Sequence, residues 1–201
     1  MLNKKGIRKM LFVGIIFGCS ATIIAHLYAV KDYWHPIYLM WPFNIEDFLY
    51  GFFYGGIIAS FYEVVFHRQR KNAGKFNTIW FLIFCVFSIA SFLIITTIFK
   101  INSIVAHILP PILVSMVVCM KRPDLIKPSL FTAIMTLILT AGVFVVLQLI
   151  YPGFFGQYWY LGNLSGVRIG GIPIEELLFA FFLGFGGSHF YEFLFGYRLE
   201  P

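Results

Sequence analysis

The chain has 201 residues, 60% hydrophobic and 12% charged, with a mean hydropathy of +0.84. That composition excludes a soluble globule and fits a multi-pass membrane protein. Nine acids against 15 Lys and Arg leave a formal charge of +6, an excess that calls for a topological explanation before a nucleic-acid one.

In chain order, the basic start MLNKKGIRKM precedes an apolar run reaching about Val30. A signal peptide is one reading, and Ile16-Phe17-Gly18-Cys19 hints at a lipoprotein cleavage site. The run continues through Ile23 and Ile24, which favours a retained first transmembrane helix. Residues 31–44 are rich in Trp, Tyr and Pro and suit the membrane–water interface. A second helix is expected over about 45–66, then a basic loop at 67–75. A third covers about 76–99 and a fourth about 101–120, with His107 and a kink expected at Pro110-Pro111. A basic loop at 121–127 leads to a fifth helix over about 128–151. Residues 151–171 are aromatic and Gly-rich, and lie in the interface or dip back toward the core. The run 172–198 closes the chain, with RLEP as a short tail. Each run has the roughly 20 residues that a bilayer crossing requires. The expected fold is all-α: one integral-membrane domain over 1–201, a polytopic helical bundle of about six transmembrane helices. Cys19, Cys85 and Cys119 show neither metal spacing nor a disulfide framework, and read as small core residues.

Six crossings put both termini on one side. The N-terminus, the loops at 67–75 and 121–127 and the tail then carry 12 Lys and Arg, against Lys31, Lys100 and Arg168 opposite. By the positive-inside rule the protein is expected in the plasma membrane with both termini cytoplasmic. A nucleic-acid partner is not expected.

Residues 45–69 align without gaps to 174–198 at a constant offset of 129, with ten of 25 pairs identical. Among them are Glu46/Glu175, Gly55/Gly184, Tyr62/Tyr191 and Glu63/Glu192, and Asp47 faces Glu176. Phe-rich helices match by composition alone, but acids are scarce here, so the alignment reads as an internal repeat. Both copies then run from outside to inside, a parallel repeat with the acidic pairs at the outer ends. Glu175 and Glu192 stand 17 residues apart, about 25 Å along a helix. A paired-carboxylate site must therefore form between helices, with Glu46 and Asp47 facing Glu175 and Glu176.

Each candidate has a structural explanation beside the functional one. Pro173 suits a first helical turn, and Glu175 and Glu176 there complement the helix dipole. Asn44 is a candidate N-cap for the second helix. Glu63 has His67 one turn on or the basic loop as partners, Glu192 has Arg198, and His189 suits packing as well as proton donation. Gly55, Gly56, Gly184, Gly186 and Gly187 suit close helix packing. Aromatic side chains lining a cavity would stabilise a carbocation. No Asp-rich diphosphate motif, HExxH, GxSxG, Walker A loop or GxGxxG is present, so neither a cofactor nor a metal is expected. What remains is acid chemistry in an apolar cavity.

P-I-E-E-L-L-F-A-F-F (173–182), opening a terminal membrane helix, resembles the P-x-E-E motif of the lycopene cyclase domain family, the flavin-independent bacterial heterodimeric and fungal fused type. I-E-D-F-L-Y-G-F-F (45–53) looks like a second, altered copy, with Asn44 where Pro173 stands and Asp47 for a glutamate. The resemblance implies a non-redox lycopene β-cyclase, an intramolecular lyase or isomerase of carotenoid biosynthesis acting on a lipid-soluble polyisoprenoid. It makes Glu175 and Glu176 the first candidates for acid and base, with Glu46 and Asp47 supporting. A homo-oligomer or a carotenoid-pathway partner chain is compatible with it. The rival expectations are a relative acting on another isoprenoid or lipid, a proton- or cation-coupled transporter, and a non-catalytic membrane partner.

Overall fold

The computed structural model describes residues 4–38, 45–67, 69–71 and 74–200. Among them, six helices are long and apolar enough to cross a membrane. They are α1 (Gly6–Asp32), α2 (Ile45–Val65), α3 (Thr78–Ile98), α4 (Ser103–Lys121), α5 (Pro123–Ile150) and, after the short α6 (Phe154–Tyr158), α7 (Ile174–Phe195). The all-α bundle expected from the sequence is therefore the observed one. α5 starts about five residues before its expected place. Pro123 opens it with a 3-10 turn, and Pro128 falls in the first turn of the α-helix beginning at Ile126, where its missing N–H costs little. The basic loop expected at 121–127 is thus a tight turn. α4 continues as a helix through Pro110 and Pro111.

Glycine spacing sets the tightest packing. Gly14 and Gly18 on α1 meet α2, and Gly51 and Gly55 on α2 meet α1. A Cβ on Gly14 would lie 2.7 Å from the Phe52 carbonyl, one on Gly18 2.8 Å from the Phe48 carbonyl, and one on Gly51 2.6 Å from the Phe17 carbonyl. Two small-xxx-small stripes thus face each other and let the backbones touch. α7 is the most enclosed helix, with 50% of its apolar window buried. Gly184 admits Thr136 of α5, Gly186 admits Ser115 of α4, and Gly187 admits Phe17 and Ile58. Gly56 has only ordinary contacts. The three cysteines are free, but Cys19 is exposed and the other two are half-buried. None of the three is among the buried core residues.

Short strands finish both ends. At the termini end, β1 (Gln69–Lys71) pairs antiparallel with β4 (Arg198–Glu200), so the tail is stitched to the loop after α2. At the loop end, β2 (Arg168–Ile169) pairs with β3 (Ile172–Pro173). Gly170 and Gly171 between them have φ of 59° and 84°, which suits a tight hairpin turn. The segment after α5 interlocks with the one after α1. Trp34 bridges Trp159, His35 N donates to the Tyr158 carbonyl at 2.9 Å, and Tyr160 N donates to the Tyr33 carbonyl at 2.9 Å. A buried apolar cluster of Ala29, Tyr33, Ile104, Phe155, Trp159, Ile172 and Leu177 lies beneath. Asp32 caps α4, accepting from Ser103 N at 2.8 Å and Ser103 Oγ at 2.6 Å.

Candidate active site

The hairpin delivers the chain directly into α7. Pro173 stands before the helix as its N-cap residue, with φ −56° and ψ 136°, one place earlier than expected. It belongs to β3, and its ring therefore orients the entry rather than filling the first turn. Glu175 and Glu176 follow inside that first turn, where the helix dipole favours negative charge.

The two neighbours are held differently. Glu176 is 5% exposed, and its Oε1 accepts a hydrogen bond from the Trp159 indole at 2.6 Å. Glu175 is 6% exposed, and its Oε1 accepts from Ser165 N at 2.7 Å. Its Oε2 is buried with no hydrogen-bond partner among the described residues. Glu175 also lines a small open cleft, together with Leu161, Leu164, Gly166, Val167, Arg168 and Pro173. Those walls are aliphatic apart from Arg168 and Glu175. The aromatic side chains expected around a cation stand one layer back, where Phe144, Phe154 and Phe155 surround Trp159.

The first acidic pair opens α2. Asp47 is 4% exposed and accepts from the Tyr38 hydroxyl at 2.8 Å. Glu46 beside it is half-buried. Burial pushes the Tyr38 phenol well above the usual tyrosine range, and the hydrogen bond to Asp47 adds to it. The aligned residues Asp47 and Glu176 thus share an arrangement: each takes a hydrogen bond from an aromatic donor in the segment that precedes its helix. Pro42 and Asn44, the latter expected as an N-cap, lie outside the described residues.

The acids near the other helix ends are drawn to a group the sequence reading assigned elsewhere. Lys9 was counted with the basic N-terminus, yet it lies inside α1 and is 2% exposed. Its ammonium donates to Glu63 at 2.8 Å and also to Glu192. The aligned glutamates of α2 and α7 therefore meet one cation from α1, which replaces His67 and Arg198 as the partner to consider first. His189 is buried, with Nδ1 2.8 Å from Ser129 Oγ. It is held by α5, far along α7 from the cleft. Besides Lys9, sequence reasoning missed Trp159, Ser165 and Tyr38. Nothing in a run as aromatic as FFGQYWY singles out one ring. Among the described residues no group of three or more His, Cys, Asp and Glu is placed to hold a metal ion.

Comparison with known families bears on the half of the chain that carries this cleft. Residues 102–194 match the family model described as lycopene cyclase. That region is similar to the lycopene cyclase family. The match spans α4 to α7 and so includes Trp159, Ser165, Glu175 and Glu176, while α1 to α3 lie outside it. No curated protein and no solved structure matches the chain. The resemblance read from residues 173–182 thus falls inside a lycopene cyclase-like, membrane-embedded domain.

Proposed function

We propose that the protein is a lycopene β-cyclase that closes the end group of a linear polyisoprenoid by acid–base chemistry, with Glu175 and Glu176 as the acid and base. A proton from one carboxyl adds to the terminal double bond. The resulting tertiary cation is attacked by the next double bond along the chain, closing a six-membered ring and moving the charge to a ring carbon. Loss of a neighbouring ring proton to a carboxylate gives the β-ionone end. The proton is returned, so the reaction is an isomerisation and consumes no reductant.

One observation carries this reading. Glu175, which keeps a buried carboxyl oxygen without a partner among the described residues, lines an aliphatic-walled cleft in the region similar to the family. A buried group without a partner has its donor or acceptor capacity available for a substrate. The cleft is small and open, so only the tip of an end group would enter it. The remaining polyene would lie along the lipid-facing helices. Because the named walls lack an aromatic ring, the carboxylate left after proton transfer is the natural counter-charge for the cation. Glu46 and Asp47 complete the proposal as a second acid pair of a parallel internal repeat, centred on 45–69 and 174–198.

The test is pigment analysis of a lycopene-accumulating bacterial host expressing the protein beside Glu175→Gln and Glu176→Gln at equal levels. The expected result is a cyclic carotenoid with wild-type protein, and its loss in both variants. Unchanged lycopene from well-expressed wild-type protein would sink the proposal and move the substrate to another isoprenoid.

A further inference from the structure

Trp159 is fixed from every direction except along its N–H. Its backbone N donates to the Phe155 carbonyl at 3.0 Å. On either side, Tyr158 and Tyr160 exchange backbone hydrogen bonds with His35 and Tyr33, so Trp159 sits within a short ladder against Trp34. Its ring lies 4.8 Å from that of Phe155, 5.2 Å from Phe154, 5.8 Å from Trp34 and 6.1 Å from Phe144. It is 6% exposed. An indole in such a place loses a donor unless the N–H is satisfied, and Glu176 Oε1 at 2.6 Å satisfies it. The single interaction open to this ring is thus spent on the acid next to the cleft.

We propose that Trp159 is a positioning residue for Glu176, and that through it the segment after α1, outside the region similar to the family, sets the carboxyl's orientation. The inference rests on the cyclisation reading for its catalytic consequence, and on the indole–carboxyl contact alone for its structural one. Glu175 has an oxygen unclaimed at the cleft, while Glu176 is tethered behind it. A pair of carboxyls that must give and take a proton at neighbouring carbons needs both held within a fraction of an ångström. A neutral indole donor does this without contributing a proton that competes with theirs. Trp34, 141 residues before Glu175 in the chain, bears on Glu176 by this route.

The experiment replaces Trp159 in the full chain by its benzothiophene analogue, which keeps the ring's size and puts sulfur in place of N–H. Trp159→Phe serves as the genetic counterpart. Conversion is followed in membranes of a lycopene-containing host, with kcat and KM separated. The carboxyl stretch of Glu176 is followed by infrared difference spectroscopy, assigned with Glu176→Gln. A hydrogen bond to a carboxyl is worth about tenfold to hundredfold. The expected result is a loss of that size in kcat, with KM and protein level unchanged, and a shifted Glu176 band. Wild-type kcat with the analogue, or an unshifted band, overturns the proposal. If the unmodified protein cyclises nothing, the infrared band alone decides: a shift upholds the tether while the cyclisation reading falls, and no shift overturns the tether as well.

Discussion

Lys9 and Glu192 stand 183 residues apart in the chain and meet inside the bundle, 2% and 1% exposed. Glu63 joins them from α2. Burying charge is costly unless partners supply both Coulomb energy and hydrogen bonds, and removing one partner of such a set is more damaging than replacing all of it. Lys9→Met should therefore lower stability by about 3–5 kcal/mol, read as a fall in melting temperature in mild detergent. Lys9→Arg should retain most of it. A Lys9→Met protein that melts with the wild type would show the contact to be incidental.

The facing stripes on α1 and α2 predict a sharp contrast between glycines. Gly51→Ala would set a methyl 2.6 Å from the Phe17 carbonyl and 2.9 Å from the Ala21 Cβ. Backbone cannot yield as a side-chain end does, so a loss of about 1–3 kcal/mol is expected. Gly142→Ala on α5 meets nothing within 4 Å and should be neutral or stabilising by up to about 1 kcal/mol, through helix propensity. Thermal denaturation of the two variants side by side tests this.

Arg168 is exposed and lines the Glu175 cleft. A guanidinium there opposes a developing cation, so Arg168→Gln should leave cyclisation of a hydrocarbon end group unchanged or make it severalfold faster. If the natural substrate carries an anionic group, the same variant should be severalfold slower. Initial rates on an uncharged substrate separate the two.

Tyr38 gives a pH signature at the loop end. Its folded-state pKa is raised, by burial first and then by Asp47. Above the ordinary tyrosine value of about 10 the unfolded chain has released this proton and the folded protein has not. The unfolded state then binds fewer protons, so stability falls as pH rises through and beyond about 10, and is unaffected below it. Tyr38→Phe should lose less stability between about pH 9 and 11 than the parent does. Equal alkaline losses would count against the part-buried Tyr38–Asp47 bond.

Much of this architecture can be read from residue order alone. Twenty-residue apolar runs separated by Trp, Pro and Lys or Arg specify membrane helices because the bilayer admits little else. Glu175 and Glu176 stand out because acids are scarce in such runs, and Pro173 marks where α7 begins to within one residue. Other features were hidden for physical reasons. Lys9 lies in a basic run, and only tertiary packing distinguishes a buried ammonium from a solvated one. Trp159 competes with a crowd of aromatic neighbours, and its role depends on a strand-like bridge to Trp34, which no local periodicity signals. The Gly14/Gly18 and Gly51/Gly55 spacings were there to be seen, but which helices they join is decided by topology.

The place of Glu192 near the end of the last helix bears on how the protein is made. α1 and α2 leave the ribosome before α7 and carry complementary glycine stripes, so they can associate as a helical hairpin as soon as both are in the bilayer. At that moment Lys9 and Glu63 already form a neutral couple, a tolerable arrangement within lipid. Glu192 joins only when α7 has been synthesised, and α7 is also the helix that brings Glu175 and Glu176. A nascent chain that stalls before α7 thus holds neither Glu175 nor Glu176, and closure of the ionic knot coincides with their arrival.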